Sequence, residues 1–240
     1  MKIVYYIVSS LCLIFYAIQT SCQDYPILGH THINSFIYNP SLAGADMDFK
    51  GSIMLIRRGS MNKIKGHPKL TLLSGHLPFK NYKFGIGGNL MLEQVNFMQQ
   101  IRGNVAFSYH LLFDHVKRLS FGISTDIAYM TIDENEVISI DPSLVDPVLL
   151  EYDSKAYLDF SYGMNYHAQL VACGATINNI RGMISKTDIN PGQSGYYSGY
   201  LQFFIPVNFQ RDLIEPVISI RKLPLSKSLA TFGIYLHTGK

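Results

Sequence analysis

Ser108 and His110 stand two residues apart, so on an extended strand they share one side, the spacing of a hydrolytic Ser/His pair. Asp159 and Ser161 repeat that geometry. Neither pair belongs to a complete catalytic constellation, and same-face polar pairs arise by chance wherever one side of a strand is polar, so no catalytic residue is assigned. Histidine occurs at positions 30, 32, 67, 76, 110, 115, 167 and 237. His30 and His32 could ligate a metal together, but no cysteine or carboxylate cluster accompanies them, and they read as a polar stretch; no metal or cofactor site is assigned. Gly85-Ile86-Gly87-Gly88 is no phosphate loop, because it lies inside a strand pattern with no helix after it. Lys83, Glu93, Arg102, Arg118, Asp126 and Asp159 fall on polar strand faces. Enclosed by a sheet they should pair, since lone buried charges are costly, or else line a conducting or partner-binding lumen.

The elements that must position these residues are strands. Alternation of period 2 recurs throughout, broken by turn residues. Phe84, Ile86, Leu90 and Leu92 oppose Lys83, Gly85, Gly87, Asn89, Met91 and Glu93. Val105, Phe107, Tyr109 and Leu111 oppose Arg102, Asn104, Ala106, Ser108 and His110. Leu119, Phe121, Ile123, Ile127 and Tyr129 oppose Arg118, Ser120, Gly122, Ser124, Asp126 and Ala128. The pattern continues with Leu158, Phe160, Tyr162, Met164 and Tyr166, then with Val171, Cys173, Ala175 and Ile177, and then with Tyr197, Leu201, Phe203 and Ile205. Weaker strands are expected at 47–58, 69–79, 212–222 and 229–238. Phe79–Tyr82 and Phe113–Val116 suit tight hairpin turns, whereas 133–153 and 181–193 suit long loops at the opposite end.

Two architectures fit such strands, a soluble sandwich and a membrane barrel. The polar face is rich in Gly, Ser, Ala and Asn rather than Lys and Glu, which suits a crowded interior better than solvent. Hydrophobic residues make up 48% of the chain and charged residues 15%, against about 25% charged in ordinary globular chains. Tyr and Phe recur near strand ends, where a membrane interface favours amphipathic rings. The expectation is an all-β, antiparallel transmembrane β-barrel of about 10–12 strands.

The first 22 residues read as a signal peptide, with Lys2, an apolar run from Ile3 to Ala17, and Thr20 and Cys22 preceding a cut before Gln23. Acylation of Cys22 and an uncleaved anchor helix are the alternatives. The barrel domain then spans 23–240. Cys173 alone would remain, which leaves no disulfide framework. The formal charge of +3 loses the one lysine of the signal and falls to +2, too little for a nucleic-acid surface.

The most distinctive segment precedes the first strand: Asn34-Ser35-Phe36-Ile37-Tyr38-Asn39-Pro40-Ser41-Leu42-Ala43-Gly44. An aromatic stretch followed by Asn-Pro-x-x-Ala-Gly, soon after Gln23-Asp24, resembles the PorP/SprF family of the Bacteroidetes type IX secretion system. Leu55-Ile56-Arg57-Arg58, Pro68–Pro78, Lys83–Gly88, Leu119–Ser124 and Ile214–Ile220 match further family pieces in order. The chain lacks the tryptophan usual after the first-strand arginine. It stops at Thr238-Gly239-Lys240, short of the family's later strands, so the barrel is smaller or incomplete and must close differently or against a partner.

The resemblance implies a non-enzymatic component in the bacterial outer membrane, without cofactors, supporting export of surface proteins such as gliding adhesins. Its implied partners are outer-membrane lipid, periplasmic and outer-membrane parts of the apparatus, and secreted cargo. Asn39, Pro40, Ala43 and Gly44 are expected to be a structural signature, because Pro fixes φ and Gly permits a tight bend. A general channel for small solutes and a barrel hydrolase are the rival functions.

Overall fold

The computed structural model describes residues 35–45, 51–59, 66–114, 116–132, 156–184, 195–207, 212–222 and 228–238. The expected signal peptide at 1–22, the pair His30 and His32, His115 and the loop at 133–153 lie outside the described residues. Two 3-10 turns, Ser35–Ile37 and Pro40–Leu42, come before the first strand. The strands are β1 (Ser52–Gly59), β2 (Lys69–Phe79), β3 (Phe84–Val95), β4 (Met98–Leu112), β5 (Arg118–Ile132) and β6 (Ala156–His167). They continue as β7 (Val171–Asn178), β8 (Tyr196–Phe203), β9 (Ile205–Val207), β10 (Asp212–Lys222) and β11 (Leu229–Thr238). A single turn of helix, α1 (Ile180–Ile184), opens the expected loop at 181–193, whose remainder lies outside the described residues. No described helix is long and apolar enough to cross a membrane.

All eleven strands join one antiparallel sheet in the order β1-β2-β3-β4-β5-β6-β7-β8-β10-β11, with β9 also on β10. Strands β8 and β9 meet β10 in one register, Gln202 opposite Val217 and Ile205 opposite Ile214, so they are one strand interrupted at Phe204. Phe204 gives its N–H to the Leu170 carbonyl at 2.9 Å, and Pro216, in the gap on the facing strand, has no N–H for the ladder. Phe204 turns inward, is buried and packs on the His167 ring. The sheet thus has effectively ten strands, and among the described residues its edges β1 and β11 do not pair with one another.

The alternation places side chains as expected. In β4, Val105, Phe107, Tyr109 and Leu111 are exposed while Ala106, Ser108 and His110 are buried. In β5, Ile123 and Ile127 are exposed while Arg118, Ser120 and Ser124 are buried. The convex face is therefore a largely apolar surface reaching both edges, with Ile53 86% and Leu236 71% exposed. A surface of that extent is what a bilayer requires. Phe79, Phe84, Phe107 and Tyr109 cluster on it beside the first hairpin turn, ring centres 5.2–6.2 Å apart.

That turn corrects one sequence expectation. Lys80, Asn81 and Tyr82 all take left-handed backbone conformations, which consumes the residues through Lys83 in the turn. Lys83 is consequently exposed outside β3 and is not on the lumen face. Because neighbouring strands are antiparallel, the turns at 80–83 and 113–117 share one end of the sheet, and the connections 133–155 and 179–195 leave from the other.

Candidate functional site

The concave face of the sheet is occupied by the segment 35–45, which acts as a plug. Its fold is local. Asn39 is extended, and its Oδ1 accepts hydrogen bonds from the backbone N–H of Ser41 at 3.0 Å and from Ser41 Oγ at 2.7 Å. Pro40 supplies the first position of the 3-10 turn, where its missing N–H costs nothing. Gly44 ends the segment with φ of 64°, a value that disfavours other residues.

The plug is bound to the wall through its backbone. The Ala43 carbonyl accepts from Ser108 Oγ at 2.6 Å and from His110 Nε2 at 3.0 Å, and His110 Nδ1 in turn accepts from Ser120 Oγ at 2.8 Å. The Gly44 N–H donates to His76 Nδ1 at 3.0 Å, and His76 Nε2 donates to Ser52 Oγ at 2.9 Å. Arg118 donates to the Ala45 carbonyl at 2.6 Å, and Asn39 Nδ2 donates to the Met164 carbonyl at 3.4 Å. These contacts tie the segment to β2, β4, β5 and β6. Backbone groups that would be costly to bury unpaired are satisfied by side chains of the sheet.

The wall has a seat cut for this segment. Register aligns Gly85, Ser108, Gly122, Gly163, Thr176 and Ser198 in one row across β3 to β8. A Cβ on Gly85 would lie 2.0 Å from the Ala43 oxygen, one on Gly122 2.3 Å from the Pro40 carbonyl carbon, and one on Gly163 2.1 Å from Asn39 Oδ1. Side chains are excluded there by close approach of the plug. Around the seat, Phe36 packs with Ala43 and Ala106, and Ile37 and Tyr38 pack with Leu70, Leu72 and Met91. The Phe36 ring also meets the His76 ring edge-on at 5.2 Å.

The structure thus gathers Asn39, Pro40, Ala43 and Gly44 into one buried unit, with Ser41 and Ala43 fully enclosed. Ser108 and His110 do meet, at 3.1 Å, but Ser108 is wholly buried and its hydroxyl is spent on the plug. Asp159 and Ser161 do not act together: Asp159 accepts the N–H groups of Arg181 and Gly182 at 2.7 and 3.0 Å, while Ser161 donates to Asp126 at 2.6 Å. The lumen charges take many neutral partners. Asp126 also accepts from Ser124, Arg102 donates to Gln100 and Arg118 donates to a carbonyl. Among the described residues no three His, Cys, Asp or Glu side chains converge as metal ligands. Sequence reasoning marks Ser108, His110 and Arg118 as inward-facing but not the segment they hold, and gives His76 no role.

A family model described as type IX secretion system membrane protein PorP/SprF matches residues 21–231. A crystal structure of BamA from Haemophilus ducreyi lacking POTRA domains 1–3 is similar with a TM-score of 0.38 and 14% identity, over 72% of this chain and 35% of that one. The chain therefore spans about a third of that structure's length. No curated protein matches.

Proposed function

Because the chain belongs to the PorP/SprF family of type IX secretion system membrane proteins, we propose that it is an outer-membrane component supporting export of surface proteins, gliding adhesins among them. In this reading residues 1–22 are a cleaved signal peptide and 23–240 the barrel domain, whose convex face meets outer-membrane lipid. The barrel is a non-enzymatic part that contacts periplasmic and outer-membrane components of the apparatus and its secreted cargo. It works without metal or cofactor.

The family match carries this reading. Two features of the lumen support it against its rivals. A pore for small solutes needs an open interior, and here the segment 35–45 is tied across the concave face to four strands. A hydrolase on the wall needs a reachable nucleophile, and Ser108 has no exposed surface. The signature residues Asn39, Pro40, Ala43 and Gly44 take a structural role in this proposal, shaping the plug that fills the seat.

Deleting the gene tests the proposal. Surface display of particular exported proteins, followed by labelling of intact cells, should be lost while uptake of small solutes stays unchanged. Normal display would sink the secretion role. Steady conductance of the purified protein in planar bilayers would promote the channel instead.

A further inference from the structure

The plug fills only part of the concave space. Beside it, a cavity of about 170 Å³ lies between Tyr38 and the inward faces of β7, β8, β10 and β11. Arg221 stands at one end of it, paired in register with Ser198 and so at the end of the row that forms the plug's seat. Its guanidinium carbon is 4.7 Å from the centre of the Tyr38 ring and 5.3 Å from that of Tyr196. Both separations are within the roughly 6 Å over which a cation is held by an aromatic face. Its Nε is buried with no hydrogen-bond partner, and the two rings are the partners that the described residues give this cation.

We propose that this cavity is a binding site for a carboxylate, anchored by Arg221, whose guanidinium Tyr38 and Tyr196 approach. A half-buried arginine with no acidic partner among the described residues is costly unless a bound anion compensates it. The inward acid on its own strand, Glu215, is six residues away, about 20 Å along the chain, and is engaged by His237 Nε2 at 2.7 Å and by Gln202. Nearer the guanidinium the cavity wall is neutral: hydroxyls of Thr176, Ser198, Ser219 and Thr231. One guanidinium with neutral donors matches one negative charge. A phosphate dianion would call for a second cation, which the cavity wall does not present. The two rings engage the guanidinium as a cation–π pair, and the N–H groups on its edge suit the planar, two-pronged hydrogen bonding that carboxylates accept. The carboxylate could come from a free solute or from a peptide, and the chemistry at Arg221 is the same for both. This assignment does not rest on the secretion role, since it is read on the purified protein whatever deletion does to export.

The full-length protein in detergent micelles would be titrated with benzoate, benzamide and inorganic phosphate by ligand-observed NMR. A short peptide with a free C-terminal carboxylate and its amidated twin form the second arm. At least one carboxylate should bind, its amide counterpart about tenfold or more weaker, and Arg221→Gln should weaken the carboxylate by a similar factor. Arg221→Lys should keep part of the affinity. Binding of benzoate alone assigns the site to solutes; binding of the peptide acid alone assigns it to polypeptide. If Arg221→Gln does not fold, Ser219→Leu decides, because it fills the cavity and leaves the cation in place, and it should abolish binding. No carboxylate binding, equal binding of acid and amide, tighter binding of phosphate, or affinity unchanged in a folded variant would each overturn the assignment.

Discussion

The two halves of the sheet share an outer face and differ inside. Strands β2 to β6 hold the plug with glycine, serine and histidine and leave a cavity of about 80 Å³ beside it; β7 to β11 present hydroxyls, tyrosines and Arg221 to one of about 170 Å³. The difference teaches that outward alternation sets the barrel, while the inward residues decide what each part of the wall holds. A Cβ on Gly122 would collide with plug backbone, yet one on the inward-facing Gly233 of β11 would come no nearer than 3.2 Å, to the tip of the Tyr235 side chain.

The sharpest way to break the contrast is to fill the seat. Gly122→Leu should destabilise the barrel by at least about 3 kcal/mol, the upper range for overpacking, because the obstacle is backbone that cannot turn aside. Gly233→Ala on the other side should cost far less, because only the tip of the Tyr235 side chain has to give. Denaturant midpoints of the refolded proteins in micelles would check the pair, and equal effects would dissolve the comparison. Next comes the face the halves have in common: Ile123→Arg in β5 and Ile234→Arg in β11 should each cost about 2–4 kcal/mol if both sit at mid-membrane depth. A cost confined to one would show that only that half is bathed in lipid.

Smaller effects come from the latch. His110→Leu should cost about 1–3 kcal/mol, since Ser120 loses an acceptor and the Ala43 carbonyl one of its donors in a buried place. Ser219→Ala, facing the cavity, should change stability by less than about 0.5 kcal/mol. Asn39→Ala should cost about 1 kcal/mol through the lost cap, read most directly as faster proteolysis within 35–45.

Much of the wall was legible in the sequence. The inward and outward sets of β3 to β8 follow from alternation because strand geometry has a fixed period. The exception is Lys83, where three consecutive left-handed residues absorbed a position that the period assigned to the strand. The signature Asn39–Gly44 was legible as a bend, from its proline and glycine. Its place was not. The seat joins residues of separate strands through register, and register is set only when the sheet forms. Ser108 and His110 showed their shared face, but the Ala43 carbonyl they hold lies 65 and 67 residues earlier, beyond any local pattern. Arg221 likewise gave no sign of its stacking rings, since Tyr38 and Tyr196 come from distant parts of the chain.

The plug also orders events in time. It comes before every strand it touches, and Asn39 reaches Met164, 125 positions downstream. Contacts so remote are slow to form, because the loop entropy is lost before they repay it. The early segment is therefore fully seated only once β6 has joined, and the sheet curves around a mandrel carried by its own chain. Protection of 35–45 from protease during refolding should accordingly lag behind pairing of β3 with β4.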